Sequence, residues 1–245
     1  MKKRLLILMV IIISGFLSLN VYADYELNYE LSEASQGSDA AKVQKLIVDG
    51  ANINFKDTAG FTPLHWAAEL GKTNIVKVLV ANRADINSSN GGITPLHFAA
   101  NKEIAELLIA NGANVNAKAD DGTSPLHLAA TNDNVSVARV LIEHGADVNA
   151  KDKKGVTPLD DAIMFGKKDM LELIVSSGAD IMSKDKTGET PLHYAAYVGN
   201  KQAIELLIAK GAEVNIKNNN GHTPLHYAKD KSVVDMLVSK NGQNN

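Results

Sequence analysis

Five of the seven histidines (His65, His97, His127, His193 and His226) recur in one register along the chain. Imidazole is a common metal ligand, so five copies raise a metal-binding reading. Two adjacent acid pairs, Asp120-Asp121 and Asp160-Asp161, raise a second reading, general acid–base chemistry. Spacing argues against both. Units stacked in a row place successive copies of one position about 10 Å apart, whereas the ligands of one metal converge at about 2 Å. Neighbouring acids in a tight turn do not converge on one substrate atom, and no nucleophile or oxyanion donor lies near them in sequence. The first pair reads as a solvated turn and the second as acids at a helix N-terminus. No phosphate-cradling glycine motif and no Gly-x-Ser-x-Gly elbow appears. The expectation is a chain without catalytic residues, metal or cofactor.

What positions the histidines is a repeat. All six prolines fall in one phrase: Thr62-Pro63-Leu64-His65, Thr94-Pro95-Leu96-His97, Ser124-Pro125-Leu126-His127, Thr157-Pro158-Leu159-Asp160, Thr190-Pro191-Leu192-His193 and Thr223-Pro224-Leu225-His226. Successive prolines are 32, 30, 33, 33 and 33 residues apart. One tetrapeptide at a fixed period means one supersecondary unit copied along a line. The unit from Asp185 to Lys217 shows its plan. Asp185-Lys186-Thr187-Gly188 is a turn. Thr190 is placed to cap a helix whose first position is Pro191. Leu192, Ala195 and Ala196 form its apolar stripe. Gly199 separates it from a second helix, Lys201 to Lys210, which buries Ile204, Leu207 and Ile208 and ends at Gly211. Neither helix is long enough to stand alone. Stacking buries their stripes, with alanine pairs such as Ala67-Ala68 and Ala195-Ala196 allowing close approach.

The phrase Gly-x-Thr-Pro-Leu-His-x-Ala-Ala, the second helix and the ending Gly-Ala-x-Val-Asn resemble the ankyrin repeat. Gly188 to Asn215 matches nearly throughout. The resemblance implies a mainly α solenoid of helix-turn-helix units with short β-hairpin loops. It also implies that the recurring imidazole bonds locally and braces the hairpin against the first helix. Residues 24–56 read as an N-terminal cap with helices Leu27–Gln36 and Ala40–Asp49. Six units follow, starting near 57, 89, 119, 152, 185 and 218, and 241–245 is a polar tail.

Four departures stand out. The third and last units lack the residues that normally join the two helices, so tight loops and shifted packing are expected there. The hairpin entering the third unit is one residue short. Arg83 stands where other units have glycine, a position expected to be left-handed. In the fifth unit Asp160 replaces histidine and Asp161 replaces an apolar residue, which marks a weaker seam.

The first 23 residues read differently. Lys2-Lys3-Arg4, an apolar run from Leu5 to Leu19 and the small residues Val21 and Ala23 form the layout of a secretory signal peptide. A retained membrane anchor is the second reading, although the run is short for a span. Cleavage at 23 removes three basic and no acidic residues, leaving 22 basic against 28 acidic. There is no cysteine, hence no disulfide and no thiolate metal site. The acidic balance gives no case for nucleic-acid binding.

The expected function is therefore an exported, bacterial (periplasmic or secreted) scaffold that binds a protein partner and is itself a monomer. Membrane contact is expected only if the N-terminal segment is retained. The alternatives are a membrane-anchored accessory or protective factor for an envelope enzyme, and a secreted effector binding a host protein. In ankyrin arrays partners meet the hairpin tips and the inner ends of the first helices. Carried onto this chain, the candidate contacts are Phe61, Leu70, Lys153, Lys154, Met164, Phe165, Lys186, Tyr197, Val198 and His222. Met164, Phe165, Tyr197 and Val198, rimmed by lysines, have the composition of an interface core.

Overall fold

The computed structural model describes residues 23–165 and 168–241. The signal segment expected at the N-terminus and the end of the polar tail lie outside the described residues. Among the described residues no helix is long and apolar enough to cross a membrane.

The chain is a row of helix pairs. Helix α1 (residues 23–36) and α2 (Ala40–Val48) come first. The first helices of the following units are α3 (Pro63–Glu69), a single 3-10 turn (Pro95–Phe98), α6 (Pro125–Thr131), α8 (Pro158–Phe165), α10 (Pro191–Val198) and α12 (Pro224–Tyr227). Their second helices are α4 (Thr73–Ala81), α5 (Lys102–Ala110), α7 (Val135–Glu143), α9 (Lys168–Ser176), α11 (Lys201–Ala209) and α13 (Lys231–Asn241). Each first helix packs on the first helices of neighbouring units, and each second helix on its own first helix. The core is correspondingly a strip. Leu64, Leu96, Leu126, Leu159 and Leu192 form one buried row; Leu79, Leu108, Leu141, Ile174 and Leu207 form another.

Every first helix starts the same way for the same reason. The Thr or Ser before proline is extended, which a following proline enforces. Proline then occupies the first helical position, where its missing N–H costs nothing. Helix α1 already includes residues 23–26, ahead of the expected Leu27. Tyr25 stacks on Tyr29 and meets Phe55 edge-on at 5.7 Å, contacts that extend the helix toward the N-terminus.

Four of the hairpins close through one carboxamide or carboxylate each. Asp57, Asp152, Asp185 and Asn218 accept two N–H groups with a single side-chain oxygen, for example Lys154 and Val156 onto Asp152 Oδ1, both at 2.8 Å. The loops are turns rather than strands; the only bridge among the described residues joins Asn90 to Ile93. That bridge belongs to the clipped hairpin. Gly91 and Gly92 both have positive φ, as a two-residue loop of this twist requires.

The two shortened units differ from expectation in where the loss falls. The deletion does not tighten a loop between intact helices. It removes the last turns of the first helix, leaving only Pro95–Phe98 and the four-residue α12. Ala99 and Ala228 then turn extended, with ψ of 106° and 116°, so that the chain still reaches the second helix.

An asparagine clamp runs along the opposite edge. The side-chain oxygens of Asn54, Asn87, Asn116 and Asn149 accept the backbone N–H of Asp85, Asn114, Asp147 and Asp180 in the next unit, at 2.7–2.9 Å. Three of these side chains also donate to the carbonyls of Gly112, Gly145 and Gly178. Met182 holds this register in the fifth unit and can do neither. An added hydrogen bond contributes about 1 kcal/mol net. Met182→Asn is therefore expected to raise the melting temperature by about 2–4 °C, a typical shift for this chain length. Calorimetry of the two proteins side by side checks it, and no rise would show that the clamp does not carry over.

Arg83 has φ of 64°, the left-handed conformation anticipated from its place among the glycines. A side chain there costs about 1–2 kcal/mol, partly offset because glycine loosens the unfolded chain by about 0.4–1 kcal/mol. Arg83→Gly is expected to raise the melting temperature by about 2 °C. Thermal denaturation followed at Trp66 reads this directly, and a fall would overturn it.

Candidate functional site: the hairpins and the first helices

The recurring imidazole is a structural bridge. In four units its Nδ1 accepts the backbone N–H of the Thr or Ser three residues earlier, at 3.0–3.2 Å, and meets the hydroxyl of the same residue at 2.7–3.0 Å. With Nδ1 accepting, the proton sits on Nε2. That N–H donates to a carbonyl of the following hairpin: Ile93 for His65, Thr123 for His97, Val156 for His127 and His222 for His193, at 3.1–3.2 Å. Both nitrogens are used and the ring is buried, so burial holds each of these four histidines below the usual imidazole range. The bond reaches the next unit as well as the local hairpin. His226 departs from the expected role. Among the described residues no further hairpin reaches its ring, which is exposed and stacks on His222 with centroids 3.7 Å apart.

Among the described residues no group of three or more His, Cys, Asp or Glu side chains converges as a metal site would require. His144, at the C-terminal end of α7, bonds its own helix through Val140 O at 2.9 Å. Asp121 is exposed and held ionised by the N–H of Thr123, which depresses its pKa. The acids are thus engaged in turn geometry.

A further row emerges from the structure: the residue just after the imidazole register. It reads Trp66, Phe98, Leu128, Asp161, Tyr194 and Tyr227, each half-buried on the hairpin side of the first helices. Its polar rings are fastened to the turn residue of their own hairpin. Trp66 Nε1 donates to Asp57 Oδ2 at 2.7 Å, Tyr194 OH to Asp185 Oδ2 at 2.8 Å, and Asn218 Nδ2 donates to Tyr227 OH at 2.9 Å. Burial and then the Asp185 bond push the Tyr194 hydroxyl upward; Tyr227 is pushed up by its bond to Glu189. The row was readable by aligning the units, since it is the one large residue between two framework positions.

The candidate contacts fall into three groups. Phe165, Tyr197, Leu70 and Val198 are 56, 55, 46 and 40 % exposed, while Met164 is half-buried. Phe165 ends α8 and Val198 ends α10, helices that pack against each other, so the apolar residues of the fifth and sixth units share one end of the stack. Tyr197 has Tyr227 edge-on at 6.4 Å and the Lys229 ammonium 5.4 Å over its ring. Lys153, Lys154 and Lys186 are exposed on adjoining hairpins, whose backbones join through Lys186 N–H and Lys154 O at 2.9 Å. Phe61, Leu70 and His222 lie apart from this group. Phe61 packs among His65, Trp66 and Phe98 at 5.3–5.6 Å, which makes it part of the framework at the N-terminal end. Leu70 caps α3 in the second unit, and His222 belongs to the last hairpin.

Comparison with known proteins agrees with this geometry. A family model for ankyrin repeats, in three copies, matches residues 31–119, 101–185 and 180–245. The human ASB11 ankyrin repeat domain superposes with a TM-score of 0.77 at 27 % identity, covering 86 % of this chain and 96 % of that domain. Alpha-latrocrustotoxin-Lt1a of Latrodectus tredecimguttatus is 37 % identical over 45 % of this chain, and human neurogenic locus notch homolog protein 1 is 41 % identical over 40 % of it. The matched segments are 8 % and 4 % of those two proteins, so the chain spans less than a tenth of either relative. With repeat phrase, hairpin-to-imidazole bridges and superposition in agreement, the chain belongs to the ankyrin repeat family, whose repeats are a protein–protein interaction module.

Proposed function

We propose that this protein is a non-catalytic binding scaffold that engages a protein partner through the concave side of the array, centred on Phe165, Tyr197 and Val198. The observation that carries the reading is their exposure. The framework positions of the same helices, from Leu159 to Ile163 and from Leu192 to Ala196, are buried apart from the half-buried Asp161 and Tyr194. Large apolar side chains left in water beside such a framework are the composition of an interface core, and the lysines on the neighbouring hairpins form its polar rim. The N-terminal layout supports export through a signal peptide, placing the scaffold in the periplasm or outside a bacterial cell. The retained-anchor reading keeps the same scaffold at the membrane; N-terminal sequencing of the exported form separates the two, since a start at Asp24 excludes the anchor.

The binding reading is tested by capture from the native compartment with wild type and with Phe165→Ala and Tyr197→Ala. A residue at the centre of an interface contributes about 1–2 kcal/mol or more, so each substitution is expected to weaken recovery of the specific partner about tenfold with unchanged folding. Equal recovery by both variants would remove the patch from the binding surface.

A further inference from the structure

The junction between the fifth and sixth units is built differently from the others. Asp160 reproduces half of the imidazole bridge: its Oδ2 accepts the Thr157 N–H at 2.8 Å and the Thr157 hydroxyl at 2.7 Å, as Nδ1 does elsewhere. The other half is missing. Asp160 has no N–H to offer the next hairpin, and its Oδ1 is buried without a hydrogen-bond partner in a residue 2 % exposed. Met182 removes the asparagine clamp between the same two units. Asp161 stands in the row where Trp66 and Tyr194 donate to a turn aspartate, so here a carboxylate faces the side where Asp152 expects a donor. What still joins the units is the Lys186 N–H to Lys154 O bond, the Lys151 and Lys184 ammoniums on Lys184 O at 2.8 Å and Lys217 O at 3.3 Å, Asn200 Nδ2 on Ile163 O at 3.1 Å, and apolar packing.

We propose that this junction is a proton-operated seam. With Asp160 and Asp161 neutral the array is closed along its length, and with them ionised α10 to α13 open as a block from the preceding units.

The surrounding charges favour this behaviour. Asp160 faces Asp161 on its own helix, Asp185 on the sixth hairpin and Tyr194 on α10; Lys151 is a cation that acts on it among the described residues. Asp161 faces Asp160, Asp152 on its own hairpin and Asp121 on the fourth. From α6 the nearest titratable group is His127, neutral in its bridge; on α9, Lys168, Asp169 and Glu172 are exposed, the first and last paired. Burial above all pushes Asp160 up to about 6, and burial and the three neighbouring acids push Asp161 up to about 7. A carboxyl whose closed-state pKa is raised contributes its full stability below about pH 4 and has lost it once the pH passes that raised value. The operating window is therefore from about pH 4 to about pH 7. The bridging histidines have the opposite sign, losing stability as pH falls below about 6.5. Comparison at equal pH with a variant that keeps them cancels their contribution.

The test is amide hydrogen exchange of the full chain at pH 4.5 and 7.5, corrected for intrinsic rates, on wild type and on Asp160→Asn/Asp161→Asn. A pKa raised by two units favours opening up to about a hundredfold, so α10 to α13 of wild type should open at least about tenfold more than those of the variant at pH 7.5, and much less so at pH 4.5. The step in protection should fall between α8 and α10. Asp160→His, which restores the missing Nε2 donor, should keep the block closed at pH 7.5. A wild-type protein whose residues 191–241 are as protected as α3 to α7 at pH 7.5 overturns the proposal without any variant. So does a double variant with the wild-type pH response. Neither readout involves a partner, so the seam stands or falls separately from the binding surface.

Discussion

A neutral imidazole shared between two units holds this array together. Its Nδ1 takes an amide of its own helix start, and its Nε2–H reaches a carbonyl of the next hairpin. The first bond fixes the tautomer that the second needs. A unit on its own has helices of seven to nine residues, too short to persist in water. The bridge therefore acts where the repeat is weakest: it orders the turn that starts one unit by means of the helix that starts the previous one. Apolar burial drives the stacking, but it is non-directional. The imidazole and the asparagine clamp set the offset at which one unit sits on the next, and because successive units share it, the whole solenoid inherits that offset.

With backbone polarity satisfied inside the stack, residues outside the framework are free to vary. Two kinds of position result. The half-buried row from Trp66 to Tyr227 is fastened by side-chain bonds to the turn residues, so it forms a rigid floor. The C-terminal ends of the first helices are only partly covered: Phe165, Tyr197 and Val198 stay exposed even though Tyr227 and Lys229 of the last unit border the Tyr197 ring. A recognition surface on such an array costs the fold little, since no buried bond depends on these side chains.

Much of this was legible in the residues. The spacing of six prolines gave the unit and the start of every first helix, and alternation of leucine and alanine gave the buried stripe. Arg83 was readable as left-handed from its place among glycines. Other features depended on distances that no sequence pattern encodes. The shortened third unit has the same deletion whether a loop tightens or a helix loses its last turns; reach to Asn101 decides, and the helix gives way. The second bond of the imidazole joins residues 26–29 apart and needs the stacking offset to be known. Phe61 has the same residue type as Phe165 and was likewise a candidate contact, yet from its hairpin position it packs into an aromatic cluster with Trp66 and Phe98. Among the candidate contacts, exposure rather than residue type separates the patch from the framework.

Three framework departures, Asp160, Asp161 and Met182, meet at one junction. Scattered drift would distribute such losses over the six junctions, each weakening a different bridge. Here they remove both the imidazole bridge and the asparagine clamp between the same two units and leave a buried carboxylate oxygen unpaired. Conflicts between local rule and global fold concentrate where a protein does something beyond folding. The junction also runs through the apolar patch, with Met164 and Phe165 on one side and Tyr197 and Val198 on the other. Any change in how the two units seat on each other alters the spacing of these four side chains directly. The apolar patch is thus mounted on a contact that lacks both the imidazole bridge and the asparagine clamp, so that binding across it would order the junction, and the state of the junction would in turn set the shape presented for binding.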